Sequence, residues 1–173
     1  MTLAELSAAI RNVPDFPKAG IQFKDITPML ADARLYAGCV EHLVGSFRPG
    51  DVDAVVGIDA RGFIFASAAA YKLKCGFVPV RKKGKLPFTT YEESYDLEYG
   101  SSTVAIHTDA VAPGSRVLLV DDLLATGGTS GAAANLLKRL GARILEVSFL
   151  IELKFLNGRE KLKDFPVRSL VTY

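Results

Sequence analysis

Short runs of almost continuous apolar residues alternate with helical segments, and this pattern constrains the fold of the chain more than any other feature. A strand that is apolar on both faces must be covered on both sides, and a parallel sheet with helices on each face provides that cover. The pattern therefore predicts an α/β fold with a mainly parallel twisted sheet flanked by helices. The predicted strands are 52–58, 76–81, 117–120, 144–151 and 167–171, and the predicted helices are 3–11, 32–47 with Asp32 as its N-cap, 63–73 and 129–140. The prediction also includes a short extended piece at 21–26, a basic loop with Gly and Pro at 82–94, two alternating segments at 95–99 and 103–106, and a short polar helix near residue 157.

Length and composition predict a single soluble domain spanning residues 1–173. At about 150 residues per domain the chain has room for one, and 49% hydrophobic with 23% charged residues is typical of globular proteins. The net charge of +2 is too small to indicate nucleic-acid binding. Cys39 and Cys75 have no metal-site spacing, and neither a basic leader nor a membrane-length apolar run is present, so we expect a cytoplasmic protein without a membrane partner.

The strongest local signal follows the apolar run at 117–120. Ligands bind beyond the carboxyl ends of parallel strands, and here the strand leads through Asp121 and Asp122 into a Gly/Thr-rich turn and a helix. Backbone N–H groups and the helix dipole at such a turn favour a phosphate, while two carboxylates suit either hydroxyl donors, such as those of a sugar, or a divalent cation. The segment therefore predicts a ribose 5-phosphate site, the alternative being that the acids only cap a loop. The predicted phosphate residues are Ala125, Thr126, Gly127, Gly128 and Thr129.

At this point the residues carry a family resemblance. VLLVDDLLATGGT at 117–129 resembles the motif with which type I phosphoribosyltransferases bind phosphoribosyl diphosphate (PRPP). PDFPKAGIQFKDITPML at 14–30, GIDARGFIFA at 57–66, VRKKGKLP at 80–87 and SYDLEYG at 94–100 resemble the adenine-specific branch of that family. The resemblance implies the type I phosphoribosyltransferase fold, transfer of the 5-phosphoribosyl group from PRPP to adenine with release of diphosphate, and a homodimer.

The family's two accessory segments have counterparts in this sequence. Residues 1–30 resemble the hood that covers the base, and residues 84–100 resemble the mobile lid loop. In the lid segment, Gly84, Pro87, Gly100 and the polar stretch between them suit a loop that opens and closes. Closure would shield PRPP from hydrolysis, the side reaction that such an enzyme has to exclude.

Basic residues after two of the predicted strands are expected to bind the diphosphate of PRPP. Guanidinium forks and ammonium groups suit a diphosphate leaving group, although the lysine-rich run is equally typical of a solvated loop. The resemblance further implies a cis peptide bond between Asp59 and Ala60. Mg²⁺ is expected as well, because diphosphate is a poor leaving group until its charge is neutralised. We expect Mg²⁺ to be held mainly by diphosphate oxygens and water, with no metal site built from protein ligands. The predicted diphosphate residues are Asp59, Ala60, Arg61, Arg81, Lys82 and Lys85.

The purine base requires proton transfer, because N9 attacks while the proton on N7 becomes acidic. Glu98 matches the carboxylate that the family uses at N7, and Tyr99 matches its tyrosine on the mobile loop. A lone Glu at a strand end is otherwise an exposed side chain. Phe23 would stack on adenine, with Gln22 and Lys24 reading its Watson–Crick edge through their backbone groups, although Phe23 also suits an ordinary core position.

Two other functions remain open on the sequence. A phosphoribosyltransferase for guanine, hypoxanthine or xanthine would need the same PRPP motif. A non-catalytic regulator that senses PRPP would also share it, but the chain has neither room for an added DNA-binding domain nor a basic recognition helix. A base-specific assay separates these alternatives.

Overall fold

The structure, a computed structural model, describes residues 1–97 and 100–173. The chain divides into two compact units, Met1–His42 and Leu43–Tyr173. The predicted hood segment, 1–30, falls inside the first unit, which extends further to His42. None of the helices in the described part of the chain is long and apolar enough to cross a membrane.

The first unit contains short helices and a small antiparallel hairpin. Thr2 and Glu5 form a reciprocal capping box at the start of the first helix, and that helix ends before the predicted 3–11 segment does. Asp32 caps the third helix, as predicted, because its Oδ1 atom accepts hydrogen bonds from the backbone of Arg34 and Leu35. The elements are α1 (Leu3–Ala8), β1 (Arg11–Pro14), β2 (Gln22–Asp25), α2 (Thr27–Ala31) and α3 (Ala33–Val44), whose last two residues belong to the second unit.

The second unit is built on a seven-stranded sheet, which confirms the predicted mainly parallel architecture. The strand order is β5-β6-β4-β3-β7-β8-β9. The five strands from β4 to β9 in that order are parallel, while β5 and β6 form an antiparallel hairpin at one edge. The strands are β3 (Ala54–Ile58), β4 (Gly76–Lys82), β5 (Thr90–Leu97), β6 (Gly100–His107), β7 (Arg116–Leu124), β8 (Arg143–Glu152) and β9 (Val167–Thr172).

Two helices cover opposite faces of this sheet. Helix α4 (Gly62–Leu73) faces Gly57, where an added Cβ would lie 2.6 Å from Cβ of Ala66. Helix α5 (Gly128–Arg139) shares the main apolar cluster with Val56, the neighbouring residue on β3. Because successive residues of a strand point to opposite faces, the sheet is buried on both sides. This explains why β3 is apolar along its whole length.

Three further elements, all in the second unit, differ from the sequence-based prediction. Strand β7 continues through the acid pair to Leu124 instead of ending at residue 120. Strand β5 begins at Thr90, inside the segment predicted as a polar loop. The polar helix predicted near residue 157 is two short 3₁₀ turns, Lys154–Leu156 and Gly158–Leu162.

Candidate active site

Two neighbouring carboxyl groups lie near the carboxyl end of β7. Asp122 is buried, with 6% of its surface exposed, whereas Asp121 lines a small cavity at the start of α5. The Oδ1 atom of Asp121 accepts a 2.9 Å hydrogen bond from the backbone N–H of Asp122. Burial, reinforced by the charge of Asp122, raises the pKa of Asp121 well above its usual range, and burial also raises the pKa of Asp122. Both groups therefore favour a partner that brings hydrogen-bond donors or positive charge.

Arg61 brings positive charge to this acid pair. Its Nη2 atom lies 2.6 Å from Oδ2 of Asp122, and this charge opposes the upward shift in the pKa of Asp122. The next residue, Gly62, begins α4 directly against β7, since a Cβ there would lie only 2.5 Å from Oδ1 of Asp121. Arg61, predicted from sequence as a diphosphate residue, is thus brought into contact with the predicted ribose residues.

The other predicted diphosphate residues lie in the loops after β3 and β4. These strands are adjacent and parallel, so both loops leave the same edge of the sheet. The Asp59–Ala60 peptide bond is cis, as the resemblance implies. Arg81 donates from Nε to Oδ2 of Asp59 at 2.8 Å and from Nη1 to the carbonyl oxygen of Lys85 at 3.2 Å. Lys82 and Lys85 are exposed, so for them the solvated-loop alternative stays open.

The predicted phosphate residues form one loop at the N-terminus of α5. Gly127 has a φ of +76°, a left-handed conformation that glycine adopts without strain, and no side chain of the described residues caps the helix there. A cavity of about 70 Å³ opens at this point. The backbone N–H groups of the first helical turn are thus available to a bound anion. The cavity is lined by Asp121, Leu123 and residues 125–130.

Gly158, which no sequence motif marks as functional, packs against the backbone of this loop. A Cβ at Gly158 would overlap the carbonyl oxygen of Ala125 and lie 3.0 Å from the backbone nitrogen of Gly127. In the other direction, a Cβ on Gly127 would overlap the carbonyl oxygen of Gly158. The only signal in the sequence is the Asn157-Gly158 pair, which is typical of a turn but does not indicate what the turn contacts.

The hairpin of β5 and β6 also contacts the loop formed by the predicted phosphate residues 125–129, called the phosphate loop below. Thr129 donates a 2.9 Å hydrogen bond from Oγ1 to Oη of Tyr95. Tyr95 was not singled out either, because an aromatic residue in an alternating strand carries no functional signal. The predicted catalytic residues Glu98 and Tyr99 lie outside the described residues.

The predicted base-binding residues lie together on β2 of the first unit. Phe23 packs edge-on against Phe16, with ring centroids 5.1 Å apart, and both rings line a cavity of about 290 Å³. Asn12 connects the neighbouring side chains, because it donates to Oε1 of Gln22 at 2.6 Å and accepts from Nζ of Lys24 at 3.2 Å. Phe23 is partly buried and presents a ring at a cavity, an arrangement suited to stacking on a planar base.

Comparison with known proteins gives one consistent result. Residues 24–172 match the phosphoribosyl transferase domain family. Adenine phosphoribosyltransferase from Acidothermus cellulolyticus is 55% identical over 170 residues, covering 98% of this chain and 96% of that protein. The enzyme of the same name from Chloroflexus aurantiacus is 50% identical over 173 residues and covers all of both chains.

Solved structures give the same picture in three dimensions. The crystal structure of adenine phosphoribosyltransferase from Rhodothermus marinus superimposes with a TM-score of 0.93 at 49% identity, covering 99% of this chain and 98% of that one. The enzyme from Saccharomyces cerevisiae, complexed with an imino-altritol bisphosphate and adenine, gives a TM-score of 0.91 at 41% identity and covers 97% of each chain.

Proposed function

Since this chain belongs to the adenine phosphoribosyltransferases of the type I phosphoribosyltransferase family, we propose which of its residues carry out the reaction. The chain has adenine phosphoribosyltransferase activity: adenine and PRPP give AMP and diphosphate, a step of purine salvage. The observation that carries the assignment of residues is the junction of β7 and α5. Two neighbouring carboxyl groups, of which Asp122 is buried, lie there within a few residues of a helix N-terminus that no described side chain caps.

The ribose 5-phosphate part of PRPP would bind at this junction. The loop from Ala125 to Thr129 would hold the 5′-phosphate through backbone N–H groups and the helix dipole. Asp121 and Asp122 would accept hydrogen bonds from the ribose hydroxyls, which lie about one sugar ring from the phosphate. Their raised pKa values support this role, because hydroxyl donors replace part of the water that burial has removed.

The diphosphate would lie at the neighbouring loops after β3 and β4. That edge of the sheet carries Asp59, Ala60, Arg61 and Arg81. Lys82 and Lys85 are exposed to solvent beside them. Arg81 is oriented by Asp59 and Arg61 by Asp122, so both guanidinium groups are held in place before they meet a ligand. Preorganised charges of this kind stabilise a leaving group as its negative charge grows.

Mg²⁺ would accompany PRPP into the site. Within residues 1–97 and 100–173 no group of three or more His, Cys, Asp or Glu side chains is placed to hold a metal ion. Diphosphate oxygens and water would supply most of the ligands of the cation, and the acid pair on β7 would face it. When bound, Mg²⁺ neutralises diphosphate charge and so improves the leaving group.

Glu98 would accept the N7 proton of adenine as N9 attacks the ribose, and return it in the reverse reaction. Positioned proton transfer of this kind contributes about 10²–10⁴-fold to the rate. Tyr99 would shield the reacting centre from water as part of the lid segment, 84–100. Phe23 would stack on adenine, while Gln22 and Lys24 read its edge through backbone groups, which is the role of the hood.

We further infer a homodimer. Helix α4 exposes two large apolar side chains two turns apart on one face, Ile64 at 37% and Tyr71 at 88% exposure. Phe77 on β4 is exposed as well and packs edge-on against Phe63 of that helix. This surface is a candidate interface. Sedimentation equilibrium would test the proposal. The wild type should sediment as a dimer, and Tyr71→Glu should raise the dissociation constant of that dimer. A monomeric wild type would contradict the proposal.

A cytoplasmic location agrees with the state of the two cysteines. Cys39 and Cys75 are free thiols, and burial raises the pKa of Cys39 to about 12, so it remains a neutral thiol at physiological pH. Free thiols are typical of proteins in a reducing compartment. Fractionation of cells expressing the tagged chain would test this location.

The direct test of function uses purified protein with Mg²⁺, PRPP and radiolabelled bases. We expect labelled adenine to become AMP, with diphosphate released in equal amount. Guanine, hypoxanthine and xanthine serve as matched substrates, and preferred conversion of one of these would contradict the adenine assignment. PRPP binding without nucleotide formation from any base would instead favour a PRPP-sensing regulator.

A further inference from the structure

The hairpin of β5 and β6 docks on α5 at the phosphate loop. Oγ1 of Thr129 and Oη of Tyr95 are 2.9 Å apart and hydrogen-bonded. The ring of Tyr95 also lies against the start of the helix, because a Cβ on Gly128 would come within 2.8 Å of its Cδ2 atom. Strand β5 ends at Leu97, one residue before Glu98 in the sequence. A residue of the phosphate loop therefore contacts the strand that leads to Glu98, the proposed general base.

Other contacts show that the same face of β5 runs along α5. Asn135 donates a 3.0 Å hydrogen bond from Nδ2 to Oε1 of Glu93. The guanidinium of Arg139 lies over the ring of Tyr91, 3.9 Å from its centroid. Alternate residues of a strand share a face, so Tyr91, Glu93 and Tyr95 present one continuous surface to the helix. Of these contacts, only the one at Tyr95 includes a proposed phosphate residue.

The hydroxyl of Thr129 has one proton and two lone pairs, and the hydrogen bond to Tyr95 uses the proton. A phosphate dianion in the loop is a stronger acceptor than a phenol oxygen, so on binding the Thr129 proton turns to the phosphate. The hydroxyl of Tyr95 then becomes the donor to Oγ1 of Thr129. The result is a chain from Tyr95 through Thr129 to phosphate, in which each hydrogen bond polarises and strengthens the next.

We propose that Tyr95 is a positioning residue in a two-hydroxyl relay, through which binding of the 5′-phosphate strengthens the docking of the β5–β6 hairpin on α5. The relay rests on the proposed assignment of 125–129 to the phosphate. It holds the strand that leads to Glu98 more firmly when the phosphate end of PRPP is in place than when the site is empty. Because coupling between two sites is reciprocal, a docked hairpin also tightens phosphate binding.

Hydrogen–deuterium exchange with ribose 5-phosphate tests the relay without requiring turnover. In the wild type, we expect the ligand to protect amides in 125–139 and also in the two strands, 90–97 and 100–107. Tyr95→Phe keeps the ring but removes the donor. It should retain protection at 125–139 and lose the added protection of the hairpin, with a dissociation constant raised about fivefold, the effect of one hydrogen bond.

Tyr91→Phe is the matched control. It removes a phenol hydroxyl from the same face of the same strand and leaves a ring beneath Arg139, so ligand-induced protection and affinity should equal those of the wild type. Hairpin protection that is equal in Tyr95→Phe and wild type would overturn the relay while leaving the phosphate site intact. Failure of the wild-type loop itself to be protected would overturn the phosphate assignment and the relay together.

Steady-state kinetics separate positioning from general destabilisation. Tyr95→Phe should raise KM for PRPP about fivefold and leave KM for adenine unchanged. Thr129→Val removes the other hydroxyl, and the double variant Tyr95→Phe/Thr129→Val should be no worse than Thr129→Val alone, because both changes break the same chain. Independent, additive effects on kcat/KM for PRPP would contradict the relay.

Discussion

Replacing Gly158 by alanine places a methyl group against the backbone of the phosphate loop. The added Cβ would overlap the carbonyl oxygen of Ala125, lie 2.9 Å from Cδ1 of Leu124 and lie 3.0 Å from the nitrogen of Gly127. Two of these three neighbours are backbone atoms, which cannot move aside by a rotamer change. The loop or the 3₁₀ turn that begins at Gly158 must therefore shift, and this costs about 1–3 kcal/mol of folding free energy, as overpacking generally does.

The expected consequence is a specific loss of phosphate affinity. At about 2–4 °C per kcal/mol for a chain of this size, the melting temperature falls only modestly, and the fold persists. A loop displaced by about 1 Å, however, loses on the order of 10²-fold in kcat/KM for PRPP. Isothermal titration with ribose 5-phosphate measures the affinity, and a thermal melt measures the stability.

Gly131→Ala provides the matched control on the neighbouring helix. Its Cβ meets Cβ of Lys161 at 3.4 Å, an ordinary contact, and alanine favours the helix by about 1 kcal/mol over glycine. This variant should melt at or above the wild-type temperature and bind ribose 5-phosphate normally. Wild-type affinity in Gly158→Ala would refute the inference that this residue supports the phosphate loop.

Three further predictions concern charged residues. Glu98→Ala should lower kcat by about 10²–10⁴-fold and leave the PRPP dissociation constant unchanged, and unchanged kinetics would remove Glu98 from the mechanism. Asp121→Asn combined with Asp122→Asn should weaken PRPP binding about tenfold in calorimetry, and equal affinity would exclude the pair as ribose ligands. Arg159→Gln should reduce the unfolding free energy at pH 7 by about 1–2 kcal/mol, because half-exposed Arg159 holds the pKa of buried Glu152 below its usual range. A carboxyl group with a lowered folded-state pKa stabilises the protein at pH values above its unfolded-state pKa, and this stabilisation is lost as the pH falls through the folded-state pKa. Urea unfolding should therefore show a smaller difference in unfolding free energy between wild type and variant in acid. A difference that does not depend on pH would contradict this cause.

The architecture was predictable because each element carries its own local signal. Strand β3 is apolar at every position, a composition typical of a strand buried on both faces. Asp32 precedes an apolar helical rhythm and does cap α3. The continuation of β7 to Leu124 was not predictable, since aspartate is rare in strands. There the long parallel pairing with β8 outweighs the low strand propensity of the acid pair.

Contacts between elements that are distant along the chain were not predictable from the sequence either. Gly158 and Tyr95 both contact the phosphate loop from elements distant along the chain, and neither has a neighbouring residue that indicates the contact. The predicted phosphate residues, in contrast, are contiguous, so one turn brings them together. Residues that bind through backbone atoms in a single loop are thus predictable, whereas residues that position such a loop from outside are not.

Charge pairing within the site explains why the overall composition gave no sign of an anionic substrate. The net charge is only +2, and the two arginines at the ligand edge of the sheet each contact a carboxylate: Arg61 contacts Asp122, and Arg81 contacts Asp59. The opposite charges of each pair cancel locally, and the contact also fixes the direction of the guanidinium group. In the proposed site, a ligand that carries both phosphate groups and sugar hydroxyls would engage both members, the arginine through its anion and the aspartate through its donors. A purely cationic pocket would bind polyanions more generally, so the paired arrangement would favour PRPP over nucleic acid by requiring donors and acceptors together.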